Sequence, residues 1–493
     1  MSSAESPVGT AFELGDLPTS ELLTHGQAAL EWIARYLDHP QRVSVLSKVV
    51  PGEIRETLPT SPPEQGEPLG EILRDFERQI VPGITHWNHP GFFGYFATSS
   101  SVPGILAEML VATLDVKAML WRTSPAATEL EQVTTDWLRQ MLGLPGGWFG
   151  FLNDTASISS MLALAAAREA KPELDIRARG MAGRSDLPRL RVYTSSHAHS
   201  SIDKAALALG FGLDNVVHVD VDREFRMRPD ALTAAIADDN AQGFLPLACV
   251  ATVGTTSTTS IDPVPAIAAI CRRESIWLHV DGAYGGVAAV VPEMRNVLEG
   301  VERADSFVVN PHKWLFTPFD CSAFFTTKPD VLERAFSLVH EYLVTPERES
   351  VIDFMNYGVQ LGRRFRALKL WMVIRGFGTA GLAARIRAHC VLAREFAGWV
   401  RNEPQWEVLA PVPFSLVCFR YAPSGVHEEV LNQMNAQILA RVNASGEVFL
   451  SHTKLDGRYV LRLAVGNIRT EERHVRRAWE LLQDAASRVS RTG

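Results

Sequence analysis

Between about residues 130 and 330, short apolar, β-rich runs alternate with helical stretches, and no other feature constrains the fold of this chain as strongly. Residues 191–194, 216–221, 247–253, 276–280 and 306–309 read as strands, with helical patterns at 202–210, 229–238 and 263–273 between them. A parallel neighbour is reached only through a long crossover, so this alternation predicts an α/β core built on a mostly parallel, doubly wound sheet. Sites in such sheets lie beyond the carboxyl ends of the strands, which makes the residues after each strand the ones to inspect.

The flanks read differently. Residues 20–37 place Leu22, Leu23, Ala28, Ala29, Ile33 and Leu37 at helical spacing, and residues 51–68 hold five prolines. Proline fixes φ and removes a donor, so the second stretch is expected to be an extended arm, either lying on a partner subunit or serving as a surface linker. A long helix is expected from 361, followed by helix and strand patterns to the end. The expected domains are a helical, proline-rich arm (1–100), a large domain (101–378) and a smaller C-terminal α+β domain (379–493); 493 residues suffice for two or three. Lys and Arg number 48 against 56 Asp and Glu, a net charge of −8, which argues against nucleic acid as a partner. The five cysteines are scattered without a CxxC pair, the N-terminal stretch is acidic, and no apolar run approaches the ~18 residues of a membrane span. The expectation is a soluble cytoplasmic enzyme.

Two strand ends carry charge. The run 276–280 ends in Asp281, and the run 306–309 ends in Asn310-Pro311-His312-Lys313-Trp314. Both charges are costly to bury unless paired. One reading is a structural ion pair. The other is pyridoxal 5′-phosphate (PLP) chemistry, in which a lysine forms a Schiff base and a carboxylate keeps the pyridine nitrogen protonated. Thr155-Ala156-Ser157 opens an apolar helical stretch and offers N–H and hydroxyl groups to a phosphate, although the same pattern also serves as an ordinary N-cap. His199 falls at the same sheet edge. A metal reading of His197 and His199 lacks a third ligand cluster, so no metal is expected.

Together these segments resemble the PLP-dependent group II decarboxylases, in particular the aromatic-L-amino-acid decarboxylase branch. The resemblance rests on residues 86–96 (HWNHPGFFGYF), 124–131 (SPAATELE), 198–201 (AHSS), 254–256 (GTT), 277–281 (WLHVD), 310–314 (NPHKW) and 361–366 (LGRRFR), in family order over nearly the whole chain. It implies PLP fold type I, an obligate homodimer with the site at the subunit interface, and an N-terminal arm that wraps the partner. Lys313 then carries PLP, Asp281 pairs with the pyridine nitrogen, and His199 stacks on the ring. Ala156, Ser157, Asn310 and His312 fall where the family holds the phosphate, and Thr256 and Ala283 where it packs the ring. With no gap after Lys313, Tyr342 aligns with the loop tyrosine that returns a proton to Cα.

The resemblance also assigns Trp87, Tyr95, Phe96 and Thr98 to the substrate pocket. Lys117 and Met119 replace apolar and aromatic positions lent by the partner subunit, and Gly362 leaves room for a large ring. The expected activity is decarboxylation of an L-amino acid, preferably aromatic, to the amine and CO2. The alternatives are an aldehyde synthase, disfavoured by the presence of Tyr342 and His199, an acidic-amino-acid decarboxylase using Lys117, and a non-catalytic scaffold.

Overall fold

The computed structural model describes residues 15–96, 98–338, 346–347 and 350–492. It divides into two compact units, one running to His86 and the other beginning at Trp87. In the first, the helix Thr19–Asp38 buries none of its residues and leaves Leu22 and Leu23 69% and 76% exposed. Trp32 stacks on Tyr36 and meets the edge of Phe76, which ties this helix to the segment that follows. The proline-rich stretch is not wholly extended: the short helix Glu53–Thr57 lies within it. Its residues fall between Pro51 and Pro59, so no proline interrupts the turn, and Gly52 takes the left-handed conformation (φ +98°) that starts it.

The second unit holds two sheets. A two-residue strand, β1 (Phe92–Phe93), comes first. Then come β2 (Phe149–Asn153), β3 (Leu190–Ser195), β4 (Val216–Val219), β5 (Leu245–Thr252), β6 (Trp277–Asp281), β7 (Ser306–Val309) and β8 (Ser322–Thr326). These last seven form one sheet in the order β2-β8-β7-β6-β5-β3-β4. It is parallel except for β8, which runs antiparallel to both neighbours, so the expected doubly wound sheet is present. Every residue of β6 and β7 is buried, as strands covered on both faces require. Helices Ala156–Glu169, Ser201–Ala208 and Pro329–Phe336 share one apolar cluster with the sheet. Helices Pro125–Leu142, Pro229–Ala241 and Val264–Glu274 share another.

The C-terminal strands β9 (Trp406–Val408), β10 (Leu416–Tyr421), β11 (Phe449–Leu455) and β12 (Arg458–Ala464) form a second sheet, in the order β1-β11-β12-β10-β9. Here β1 is parallel to β11 and the other pairs are antiparallel. The helical segment Ala367–Asn402 joins the two sheets. It breaks at Gly378 (φ +66°), whose lack of a Cβ makes that conformation accessible. Leu370, Val373 and Ile386 pack with the large sheet, while Phe396, Ala397 and Val400 pack with the small one.

Candidate active site

Parallel pairing of β6 with β7 brings their carboxyl ends side by side, with Asp281 opposite Val308. Gly282 N–H donates to Val308 O (3.0 Å) and Asn310 N–H donates to Ala283 O (3.1 Å), which fixes the two exits against each other. The Asp281 carboxylate is buried, and its Oδ1 accepts from Ala283 N–H (2.9 Å). Lys313 sits in the single helical turn Pro311–Trp314 after β7. A cavity of about 190 Å³ opens there, lined by Thr155, Ala156, Ser157, His199, Thr256, Asp281, Ala283, Asn310, His312 and Lys313 among others. Every cofactor residue expected from sequence therefore lines one cavity.

A second cavity, of about 560 Å³, is lined by Trp87, Tyr95, Phe96, Thr98, Phe319 and Arg462. It shares Phe96, His199, Thr256, His312 and Lys313 with the first. Lys313 thus stands at the junction of a polar chamber and an aromatic one, its Nζ 5.4 Å from the centre of the Phe96 ring. Trp87 stacks on both Phe92 and Tyr95, and Phe96 stacks on the buried Tyr284 at 4.0 Å.

Burial pushes the Lys313 amine below the usual lysine range, and the Asp281 charge opposes the shift. Burial also lowers His199, reinforced by the Lys313 cation, and takes His312 down to about 3. Ser201 N–H donates to His199 Nδ1 (3.1 Å) and Cys321 N–H donates to His312 Nδ1 (2.9 Å). Those bonds assign the proton of each neutral ring to Nε2.

The cavity suits a phosphorylated pyridine. Ala156 and Ser157 open a 14-residue helix, whose first N–H groups favour an anion. The Thr155 hydroxyl turns to Asp154 Oδ1 instead of capping that helix. Thr252 Oγ1 and Asn310 Oδ1, both from residues lining the chamber, are buried without a protein partner. Buried polar groups are normally satisfied, so the Thr252 hydroxyl and the Asn310 amide oxygen are available to a ligand's acceptor and donor respectively.

Three expected pocket residues lie apart from both cavities. Lys117 bridges to Arg364, Met119 packs beside Leu120 and Met355, and Gly362 faces open space. Tyr342 lies outside the described residues. Sequence reading missed Thr252, Ser201, Tyr284, Phe319 and Arg462 as lining residues. Arg462 carried a usable signal, a cation in the middle of the apolar run 460–465.

A lysine and a carboxylate at adjacent parallel strand ends, facing a helix N-terminus across a buried chamber, define the site of a PLP-dependent enzyme. The family model described as the pyridoxal-dependent decarboxylase conserved domain matches residues 51–422, and the chain belongs to that family. It is 42% identical to tyrosine decarboxylase 2 of Arabidopsis thaliana, over 96% of this chain and 88% of that protein. It is 40% identical to phenylacetaldehyde synthase of the same plant, over 97% and 98%. The crystal structure of Oryza sativa TDC with PLP and tryptamine superposes with a TM-score of 0.92 at 35% identity, covering 97% of this chain and 99% of that one. The expected fold type I and the cofactor, PLP, are thereby borne out, and the chain is a PLP-dependent decarboxylase.

Proposed function

We propose that this enzyme decarboxylates an aromatic L-amino acid to the corresponding amine and CO2, and that it works as a homodimer. The observation that carries the substrate reading is the chamber of Trp87, Tyr95, Phe96 and Phe319 opening directly onto Lys313. Flat apolar walls favour a ring over a carboxylate side chain. When bound, PLP supplies the electron sink for the pair left as CO2 departs.

The chain's own groups divide the remaining work. Amides and the hydroxyl of Ala156 and Ser157, with Asn310 and His312, hold the phosphate. Asp281 would hold a proton at the pyridine nitrogen, Lys313 would hold the cofactor through its amine, and Thr256 and Ala283 would pack against the ring. His199 would cover the ring, with its Nε2–H free to donate. Thr98 and the aromatic walls orient the substrate, and Tyr342 returns the proton to Cα.

The dimer reading draws on the helix Val102–Leu114, which exposes Val102, Leu106, Met109, Leu110 and Leu114. A contiguous apolar patch of this kind marks an interface. The resemblance implies that a second copy would bring its Lys117 and Met119 to this subunit's substrate pocket. A cytoplasmic location agrees with five cysteines that are all buried and unpaired. No helix among the described residues is long and apolar enough to cross a membrane.

The test is a panel of L-tyrosine, L-tryptophan, L-phenylalanine, L-glutamate, L-aspartate and cysteine sulfinate, with CO2, amine and H2O2 measured together and mass in solution determined by light scattering. Amine from the aromatic substrates in a dimer is expected. Turnover confined to the acidic substrates would overturn the reading. The phenylacetaldehyde synthase relative supports a second outcome, aldehyde with H2O2. Tyr342→Phe is expected to move the products in that direction, whereas amine formation at the wild-type rate would remove Tyr342 from the mechanism.

A further inference from the structure

Arg462 lies in the middle of β12 between Leu461 and Leu463, which belong to the apolar core of the C-terminal sheet. Its own side chain is buried at the aromatic chamber, 5.5 Å from the centre of the Phe96 ring. Among the described residues no carboxylate pairs with it. A buried cation in that position must be satisfied by directed hydrogen bonds, and its partners are specific. Nη2 donates to Thr256 O (2.8 Å), Nε to Ser257 O (3.0 Å) and Nη1 to Ser451 Oγ (3.0 Å).

Two of these acceptors belong to the loop after β5, where Thr256 lines both chambers. The third belongs to β11, and Ser451 Oγ also accepts from Tyr95 N–H (3.1 Å). Tyr95 is held with φ at +51°, a left-handed conformation that costs a non-glycine residue on the order of 1 kcal/mol and persists only where its surroundings enforce it. The wall is also flush against β11, because a Cβ added at Gly94 would stand 2.4 Å from the Phe449 ring. One guanidinium therefore connects the cofactor-side loop to the strained turn that carries the aromatic wall.

We infer that Arg462 is a positioning residue that sets the spacing between the cofactor chamber and the aromatic chamber, through Thr256 on one side and Ser451 and Tyr95 on the other. The inference rests on the aromatic-decarboxylase reading above. A planar fork of donors serves three acceptors at once, which a lysine ammonium on a flexible stem does not reproduce.

The experiment compares wild type with Arg462→Met, Arg462→Lys and Ser451→Ala as purified holoenzymes. It measures KM and kcat for L-tyrosine and L-tryptophan, the rate of cofactor loss on dialysis, and the visible circular dichroism of the bound cofactor. Ser451→Ala is expected to raise KM about five-fold, the factor of one net hydrogen bond, with cofactor loss at the wild-type rate. Both Arg462 variants are expected to raise KM more than ten-fold, to speed cofactor loss about ten-fold, and to alter the dichroism. A lower melting temperature with KM, cofactor loss and dichroism all unchanged would make Arg462 merely structural and overturn the inference. If Arg462→Met fails to fold, wild-type KM in Ser451→Ala overturns it as well. If the wild-type enzyme turns over neither aromatic substrate, the substrate reading falls, and cofactor loss from Arg462→Lys still decides: the wild-type rate overturns the positioning role.

Discussion

Replacing Arg363 by methionine removes the one cation that, among the described residues, pairs with the fully buried Glu131 carboxylate. Arg363 Nη2 binds Glu131 Oε1 at 2.5 Å and Leu152 O at 2.8 Å, and Nη1 binds Ala118 O at 3.0 Å. The guanidinium also lies 4.8 Å from the centre of the Phe354 ring. Glu131 is 0% exposed, its Oε1 additionally accepts from Leu152 N–H, and its Oε2 has no partner. Breaking a buried pair from one side costs about 3–5 kcal/mol, because the remaining charge stays desolvated. Unfolding entropy of about 2.1 cal/mol/K per residue gives about 1 kcal/mol/K for a chain of 493 residues. A loss of about 4 kcal/mol therefore lowers the melting temperature by about 4 °C. The assay is differential scanning calorimetry on Arg363→Met and on Arg363→Met/Glu131→Leu. The double variant is expected to recover more than half of the loss, since neither charge is then stranded. An unchanged melting temperature in the single variant, or a double variant no more stable than the single one, would refute the reasoning.

Lys313→Ala is expected to abolish steady-state CO2 release while the far-ultraviolet circular dichroism stays native; substantial turnover would remove Lys313 from its assigned role. Lys117→Ile is expected to raise kcat/KM for aromatic substrates relative to acidic ones, read from the same substrate panel, and a ratio moving the other way would make Lys117 a contact for the aromatic ring. Three imidazoles are held neutral by burial, His279 and His389 at about 4 and His312 at about 3. Their folded values lie below the unfolded one, so their contribution is complete above pH 6.5 and is lost as pH falls towards 4, at about 1.4 kcal/mol per proton per pH unit. Asp262, raised to about 6 by burial, opposes one of these three protons over the same window. The melting temperature is expected to fall steadily between pH 6.5 and 4.5, and a flat profile would contradict the assignment.

What was legible in the sequence was whatever is local in the chain. β6 and β7 are mainly apolar runs, fully buried and broken only by His279 and Ser306, and each leads into residues that such a run would not otherwise tolerate, Asp281 and then Asn310 to Lys313. Ala156 and Ser157 were visible because an anion site at a helix N-terminus is contiguous. The helix Glu53–Thr57 was hidden by the prolines around it. β1 was invisible for a different reason: two residues have no periodicity, and Phe92 and Phe93 become a strand only because Phe449 and Leu450 lie beside them. The same non-local pairing hid Arg462, whose three acceptors come from residues 205 and 206 positions away and from across a hairpin. Lys117, Met119 and Gly362 stand outside both cavities of their own chain, so their local contacts give them no place in the substrate pocket.

The electrostatics of the cofactor chamber follow from two backbone amides. Ser201 N–H and Cys321 N–H occupy the Nδ1 atoms of His199 and His312, and burial disfavours a second proton on either ring. Both imidazoles therefore add Nε2–H donors without adding positive charge beside Lys313. That matters for the amine: burial already lowers the Lys313 pKa, further cations would lower it more, and the Asp281 charge opposes the shift. A phosphate bound as proposed would meet the amides of Ala156 and Ser157, with no arginine among the described residues that line the chamber. Fixed dipoles in a buried site are screened far less than surface charges. Retention of the cofactor is thus expected to depend little on ionic strength, and Arg462, which lines the aromatic chamber, is left to hold geometry instead of charge.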